Sequence, residues 1–99
     1  MERSVEPVTL INPFEVPANA DEDFIARWEK ARDFLREQPG YVETRLHRSL
    51  RPDARFRFVN IALWDSPQAF QQAMAQPQFR EGSAMPYPAN PALYAVVRR

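Results

Sequence analysis

Apolar and polar positions alternate with a period of two through residues 55–64. At Asp65-Ser66-Pro67 they change to the three-and-four spacing of a helix. The stretch 55–70 reads Arg-Phe-Arg-Phe-Val-Asn-Ile-Ala-Leu-Trp-Asp-Ser-Pro-Gln-Ala-Phe. In an extended chain Phe56, Phe58, Asn60, Ala62 and Trp64 point to one face, and Arg57, Val59, Ile61 and Leu63 to the other. The first face is aromatic with a single amide near its centre, and both faces need cover. Ser66 supplies an N-cap, and Pro67 pre-sets the first turn of the helix. That helix carries Ala69, Phe70, Ala73 and Met74, and Pro77 ends it.

The same patterns recur along the chain. Residues 5–14 form a first strand, and Pro7 and Pro13 predict that it lies at an edge or that its pairing is interrupted there. After a loop at 16–20, Asn19 or Asp21 can cap a helix over 20–38. Its apolar residues Phe24, Trp28, Ala31 and Leu35 fall on one face. Glu29, Lys30, Arg32, Asp33, Arg36 and Glu37 form a solvated face, and Pro39-Gly40 stops the helix. A second strand covers 41–50, and 51–54 turns the chain into the strand at 55–64. Phe79 anchors a short turn. The proline-dense segment 85–91 is irregular, and 92–97 is the last strand. The order is β-α-β-β-α-β. It predicts a single α+β, ferredoxin-like domain over residues 1–99, with one four-stranded antiparallel sheet and two helices on one face.

A tight turn with Leu50 opposite Arg55 sets a register. His47 then faces Phe58, Arg45 faces Asn60, Glu43 faces Ala62 and Tyr41 faces Trp64. In that register one face mixes these polar groups with aromatics, and helices above it would enclose a semi-polar cavity. The other face shows Val42, Thr44, Leu46, Val59, Ile61 and Leu63, an aliphatic surface that a symmetric dimer would cover.

Composition narrows the functions. The 99 residues carry 13 basic and 13 acidic side chains, a balance that argues against nucleic-acid binding through phosphate neutralisation. There is no cysteine and one histidine, which excludes disulfides, thiolate catalysis and multi-histidine metal sites. The sequence has no phosphate loop, nucleophile elbow or metal-ligand spacing. The start, Met-Glu-Arg-Ser-Val-Glu-Pro, lacks an apolar signal core, and no run is long enough to span a membrane. The expectation is a cytoplasmic protein.

Over residues 9–97 the chain resembles the antibiotic biosynthesis monooxygenase (ABM) family. The resemblance rests on the element order, the Pro-Gly-Tyr start of the second strand, and the run Val-Asn-Ile-Ala-Leu-Trp-Asp-Ser-Pro-Gln-Ala-Phe. It implies a dimeric α+β barrel with a cavity between each sheet and its helices. One branch of the family oxidises a polycyclic phenol to a quinone without metal or flavin. Its Asn and Trp, four residues apart on this strand, match Asn60 and Trp64, and a tyrosine of that branch falls on Phe70. In a haem-degrading branch an Asn on strand one matches Asn12. The tryptophan and axial histidine of that branch fall near Ala73 and Ser83, so neither side chain is present.

These readings give a candidate site with two roles for each residue. Asn60 holds a substrate carbonyl, phenolate or developing peroxide, or it bonds neighbouring backbone or Arg45. Trp64 stacks on an aromatic substrate, or it is core. His47 removes a proton, or it is an exposed strand histidine. Arg45 neutralises an enolate or superoxide, or it pairs with Glu43. Asn12 faces the cavity, or it only ends the first strand. Tyr41, Phe56, Phe58, Phe70 and Met74 line the cavity or complete the core, and Phe79, Met85 and Tyr87 are read the same way. The implied activity is a cofactor-free monooxygenation of an electron-rich phenol or anthrone with O₂, in a homodimer closed through Val59, Ile61 and Leu63. The alternatives are a small-molecule-binding or stress-response dimer without turnover, and a haem binder.

Overall fold

The computed structural model describes residues 6–82 and 85–99. Its elements are β1 (Val8–Phe14), α1 (Asp21–Leu35), β2 (Tyr41–Arg48), β3 (Phe58–Trp64), α2 (Pro67–Met74), α3 (Pro77–Gly82) and β4 (Ala92–Tyr94). They form one antiparallel four-stranded sheet in the order β2-β3-β1-β4, with all three helices over one face. This is the expected α+β, ferredoxin-like arrangement. Pro77 does more than end α2, because it also opens the extra helix α3, where its missing N–H costs nothing. Of the expected first strand, Val5 lies outside the described residues, as does Ser83. No helix among the described residues is long and apolar enough to cross a membrane.

β1 is an inner strand, contrary to the edge position suggested by its prolines. It pairs with β3 from Val8↔Trp64 to Phe14↔Phe58. On its other side β4 pairs only with Thr9–Ile11. Pro13 has a carbonyl but no N–H to offer on that side, so the ladder cannot continue regularly. The irregular segment 88–90 takes over instead: Asn90 N–H donates to the Pro13 carbonyl (3.0 Å) and Glu15 N–H to the Pro88 carbonyl (3.0 Å).

The start of α1 also differs from expectation. Neither Asn19 nor Asp21 caps it. A 3-10 turn at Ala18–Ala20 leads in, and Ala20 holds the N-cap position without a side-chain bond. Asp21 is engaged elsewhere. Its carboxylate takes two bonds from the Arg57 guanidinium (2.6 and 2.9 Å) and one from Arg48 (3.2 Å), which ties α1 to the β2–β3 hairpin. The Arg57 hydrogen bond is the main reason that the Asp21 carboxyl sits below its ordinary value. Ser66 does cap α2, accepting from Ala69 N–H (3.1 Å).

Two apolar clusters sit at opposite ends of the covered face. One is built on Phe14, Val16, Phe24 and Phe58, with Phe24 stacked on Phe58 at 4.6 Å. The other is built on Val8, Leu10, Ala62, Trp64 and Ala73, with Tyr41 and Phe70 edge-on to the Trp64 ring. Among the described residues, no helix covers the opposite face of the sheet. There β3 shows Val59, Ile61 and Leu63, and Ile61 is 37% exposed.

The register of the hairpin corrects the expected one. The pairing closes at Ser49 N–H to the Arg57 carbonyl (2.8 Å), leaving residues 50–56 as the loop. Relative to a turn closed by Leu50 and Arg55, the count shifts by one, so Arg45 faces Ile61, Leu46 faces Asn60 and His47 faces Val59. An irregularity at Val42 restores the expected pairing only at Tyr41↔Trp64. A one-residue slip turns every side chain of β2 over. Thr44 and Leu46 therefore lie on the helix side, and Glu43, Arg45 and His47 lie on the open side.

Gly40 joins α1 to β2 at φ 89°, and a Cβ there would collide with the Ala69 methyl of α2. Its carbonyl also accepts Asp65 N–H (2.7 Å). Gly40→Ala is expected to destabilise the fold by about 2–4 kcal/mol, from left-handed strain plus overpacking, read as a lower denaturation midpoint in urea.

Candidate active site

Between the two apolar clusters, the helices stand off the sheet and leave a cavity of about 580 Å³. Its floor is the middle of β1, β3 and β2, where Asn12, Asn60 and Thr44 interrupt the apolar pattern. Its walls come from Trp28 and Leu35 of α1, Phe70 and Met74 of α2, and Phe79 of α3. Residues 85–91 run across as a strap and contribute Met85, Tyr87, Ala89 and Pro91 to the lining. The size suits a ligand of a few fused rings.

The polar atoms of the floor have a definite sense. Asn12 and Asn60 are direct cross-strand partners, so their side chains stand about 5 Å apart. Thr44 Oγ1–H donates to Asn60 Oδ1 (2.6 Å). The backbone N–H of Asn90 donates to Asn12 Oδ1 (3.0 Å). Both side-chain carbonyls are thus bonded within the protein. Neither amino group has a partner among the described residues, and neither is sealed from solvent. Trp64 lies four residues along β3 from Asn60, about 13 Å. It is 1% exposed, and its indole N–H is buried without an acceptor, an unmatched donor of the kind that costs about 1–3 kcal/mol.

The cavity brings together Asn12, Tyr41, Asn60, Trp64, Phe70 and Met74 from the expected set. It does not include the other four. Arg45 and His47 lie on the open face because of the register shift, and Arg45 sits 4.0 Å from Glu43, both exposed. Phe56 precedes β3 and stacks under the Arg55 guanidinium (4.8 Å). Phe58 is 2% exposed inside the Phe14–Phe24 cluster, as core rather than lining. The same shift puts Thr44 and Leu46, expected on the aliphatic face, on the helix side of the sheet. Arg32, expected on a solvated face, instead lines the cavity with its guanidinium 5.3 Å from the Trp28 ring centre. The signal for Arg32 was its spacing from Trp28, four residues on and on the same helical side.

Among the described residues, the ionisable groups in the lining are Arg32, Tyr41 and Tyr87. Burial pushes the Tyr41 hydroxyl above its ordinary value, with Arg32 and Arg36 opposing, so it stays a neutral donor. No carboxylate or imidazole among the described residues lines the cavity. Among the described residues, no three His, Asp or Glu side chains come together to hold a metal ion.

Residues 7–85 match the profile of the family described as antibiotic biosynthesis monooxygenase. The chain belongs to this family. Within ABM relatives, deoxynogalonate monooxygenase of Streptomyces nogalater is 36% identical over 74 residues, 75% of this chain and 60% of that protein. The ABM chain thus matches only about 60% of the length of that relative. Two solved structures are similar over nearly the full length. One is a candidate monooxygenase from Shewanella loihica PV-4, with TM-score 0.87, 43% identity, and 98% and 100% of the two chains covered. The other is SnoaB, a cofactor-independent oxygenase from Streptomyces nogalater, with TM-score 0.77, 25% identity, and 96% and 97% covered.

The strap of the ABM cavity is pinned at both ends. Asn90 holds it to β1, and the Tyr87 hydroxyl donates to the Asp23 carboxylate of α1, beside the Arg27–Asp23 ion pair (2.9 Å). That hydroxyl is the largest cause holding the Asp23 carboxyl below 3.8. A lowered carboxylate stabilises the closed strap above the ordinary value and loses that effect as pH falls through the lowered one. Hydrogen exchange at residues 85–90, corrected for intrinsic rates, is expected to be about fivefold faster in Tyr87→Phe than in wild type at pH 7. The difference should fade below about pH 4.

Proposed function

We propose that this chain is a monooxygenase that oxidises an electron-rich aromatic, a phenol or anthrone, to a quinone with O₂ and without a cofactor. The observation that carries the proposal is an apolar cavity, sized for fused rings, whose floor offers unmatched N–H donors at Asn60 and Asn12 and whose lining includes the Trp64 ring. Family membership and the similarity to a cofactor-independent oxygenase support the reaction type.

In this reading the substrate lies along β3 between the helices and the sheet. Its own acidity, increased by N–H donors that face the forming oxyanion, releases a proton to water at the cavity mouth. Arg32 adds positive charge at the wall. The carbanion passes one electron to O₂, and the radical pair combines to form a C–O bond. The resulting hydroperoxide loses water to leave a carbonyl. One CH₂ and one O₂ thereby become one C=O and one H₂O, with all electrons supplied by the substrate. The protein contributes orientation, a dry cavity and anion stabilisation. Asn60 is the catalytic residue, and Trp64 binds the far end of the ring system. Arg45 and His47 have no part in this scheme, since their side chains lie across the sheet.

A second reading is binding without turnover, favoured by a lining that is mostly apolar and carries no carboxylate or imidazole among the described residues. A second copy of the chain completes the protein in either case, packing on the helix-free face through Val59, Ile61 and Leu63. The exposure of Ile61 supports this.

Oxygen consumption with a panel of anthrones and dihydroxynaphthalenes, in chelator-treated buffer, tests the reaction. Asn60→Ala is expected to lower kcat about 10²-fold with the fold retained, and Trp64→Phe to lower kcat/KM about tenfold. Unchanged turnover in Asn60→Ala would remove its role. Tryptophan quenching by these ligands with no oxygen uptake would select the binding reading. Ile61→Asp is expected to convert a sedimenting dimer into the 11.5 kDa chain.

A further inference from the structure

The two floor amides are not free to choose their orientation, and this determines what the cavity accepts. For Asn12 the sense is unambiguous: the partner at 3.0 Å is a backbone N–H, so the atom facing it must be the carbonyl oxygen. For Asn60 the partner is the Thr44 hydroxyl, which can donate or accept. The separation of 2.6 Å belongs to O–H···O rather than N–H···O. The other acceptor within reach of that hydroxyl, the Ile61 carbonyl, is 3.5 Å away. The single hydroxyl proton therefore goes to Asn60 Oδ1, and Asn60 Nδ2 is left for the cavity.

We propose that Thr44 is a positioning residue that locks the Asn60 amide with its amino group inward. Together with the Asn90 N–H on Asn12, it turns two amino groups toward the cavity, and this selects the ionised form of a phenolic ligand over the neutral one. A neutral phenol oxygen accepts from the two amino groups only as a weak acceptor. A phenolate oxygen accepts from both in charge-assisted bonds, which are roughly twice as strong. The preference is the difference between the two affinities. The strap takes part, because the bond that orients Asn12 comes from residue 90, and only a closed strap completes the floor. The inference deepens the proposed function, but it concerns the binding of an anion and stands apart from turnover.

The test is a spectrophotometric titration of bound 4-nitro-1-naphthol, whose phenolate absorbs in the visible, alongside oxygen uptake on the phenol panel. The wild type is expected to bind the phenolate about tenfold better than the phenol, so the bound probe titrates about one pH unit lower than the free probe. Thr44→Val keeps the shape and loses the hydroxyl. It is expected to reduce that preference to about twofold and to lower kcat about tenfold, with KM changed by less than about threefold. Thr44→Ser restores both to within about twofold. If Thr44→Val does not fold, Thr44→Ala takes its place, and the wild-type titration alone still tests the preference of the floor for the anion.

Wild type that shows no preference for the phenolate, or does not bind the probe, overturns the inference. So does a Thr44→Val protein that titrates like wild type while Asn60→Ala loses the shift. A Thr44-dependent shift in a protein that consumes no oxygen with any substrate supports the inference and overturns the proposed reaction instead.

Discussion

The structure depends on one strand with an apolar anchor at each end and a polar residue between them. Phe58 and Trp64 of β3 are both almost wholly buried, each inside its own cluster. At full van der Waals contact such clusters resist collapse toward each other. The sheet and helices are therefore pinned together at both ends and held apart in the middle. Asn12, Thr44 and Asn60 occupy that middle. An apolar residue at these positions would favour closing the gap. Amides and a hydroxyl there are tolerated because each carbonyl is bonded within the protein and each amino group opens on the cavity.

The cavity walls follow from this separation. α1 is fixed at its start by the Arg57–Asp21 clamp and at its end by the Gly40 turn against Ala69. It consequently crosses the sheet at a set height, bringing Trp28, Arg32 and Leu35 over the floor. The strap closes the remaining side because Pro13 prevents β4 from extending along β1. Irregular backbone at 88–90 satisfies the groups that a longer strand would have paired. The segment that covers the site exists because Pro13 interrupts a ladder one residue from Asn12, the amide that the segment helps to orient.

Membership of the ABM family gives the fold and the general chemistry their context. Among the described residues, the ionisable groups of the cavity are an arginine and two tyrosines, a set that stabilises a negative ligand better than it removes a proton. In the proposed reaction the ligand's own acidity therefore carries the chemical burden, and the orientation of two amides is the protein's means of control.

The pattern of residues by itself determined the element order, the sheet and the split of β3 into a cavity face and an open face. Each depends on local periodicity and on strong punctuation such as Ser66-Pro67 and Pro39-Gly40. It was enough to assign Asn60, Trp64, Phe70 and Met74 to the cavity side of their elements. Tertiary structure decided everything that depends on counting across a turn. Residues 50–56 form an odd-length loop, which no local preference at Arg51-Pro52-Asp53 distinguishes from the expected even one. Because strand side chains alternate, that single residue sent Arg45 and His47 to the open face and brought Thr44 to the amide. The inner position of β1 and the third helix were likewise decided by packing. Proline marks where a donor is missing, and only the assembled sheet shows which neighbour goes without it.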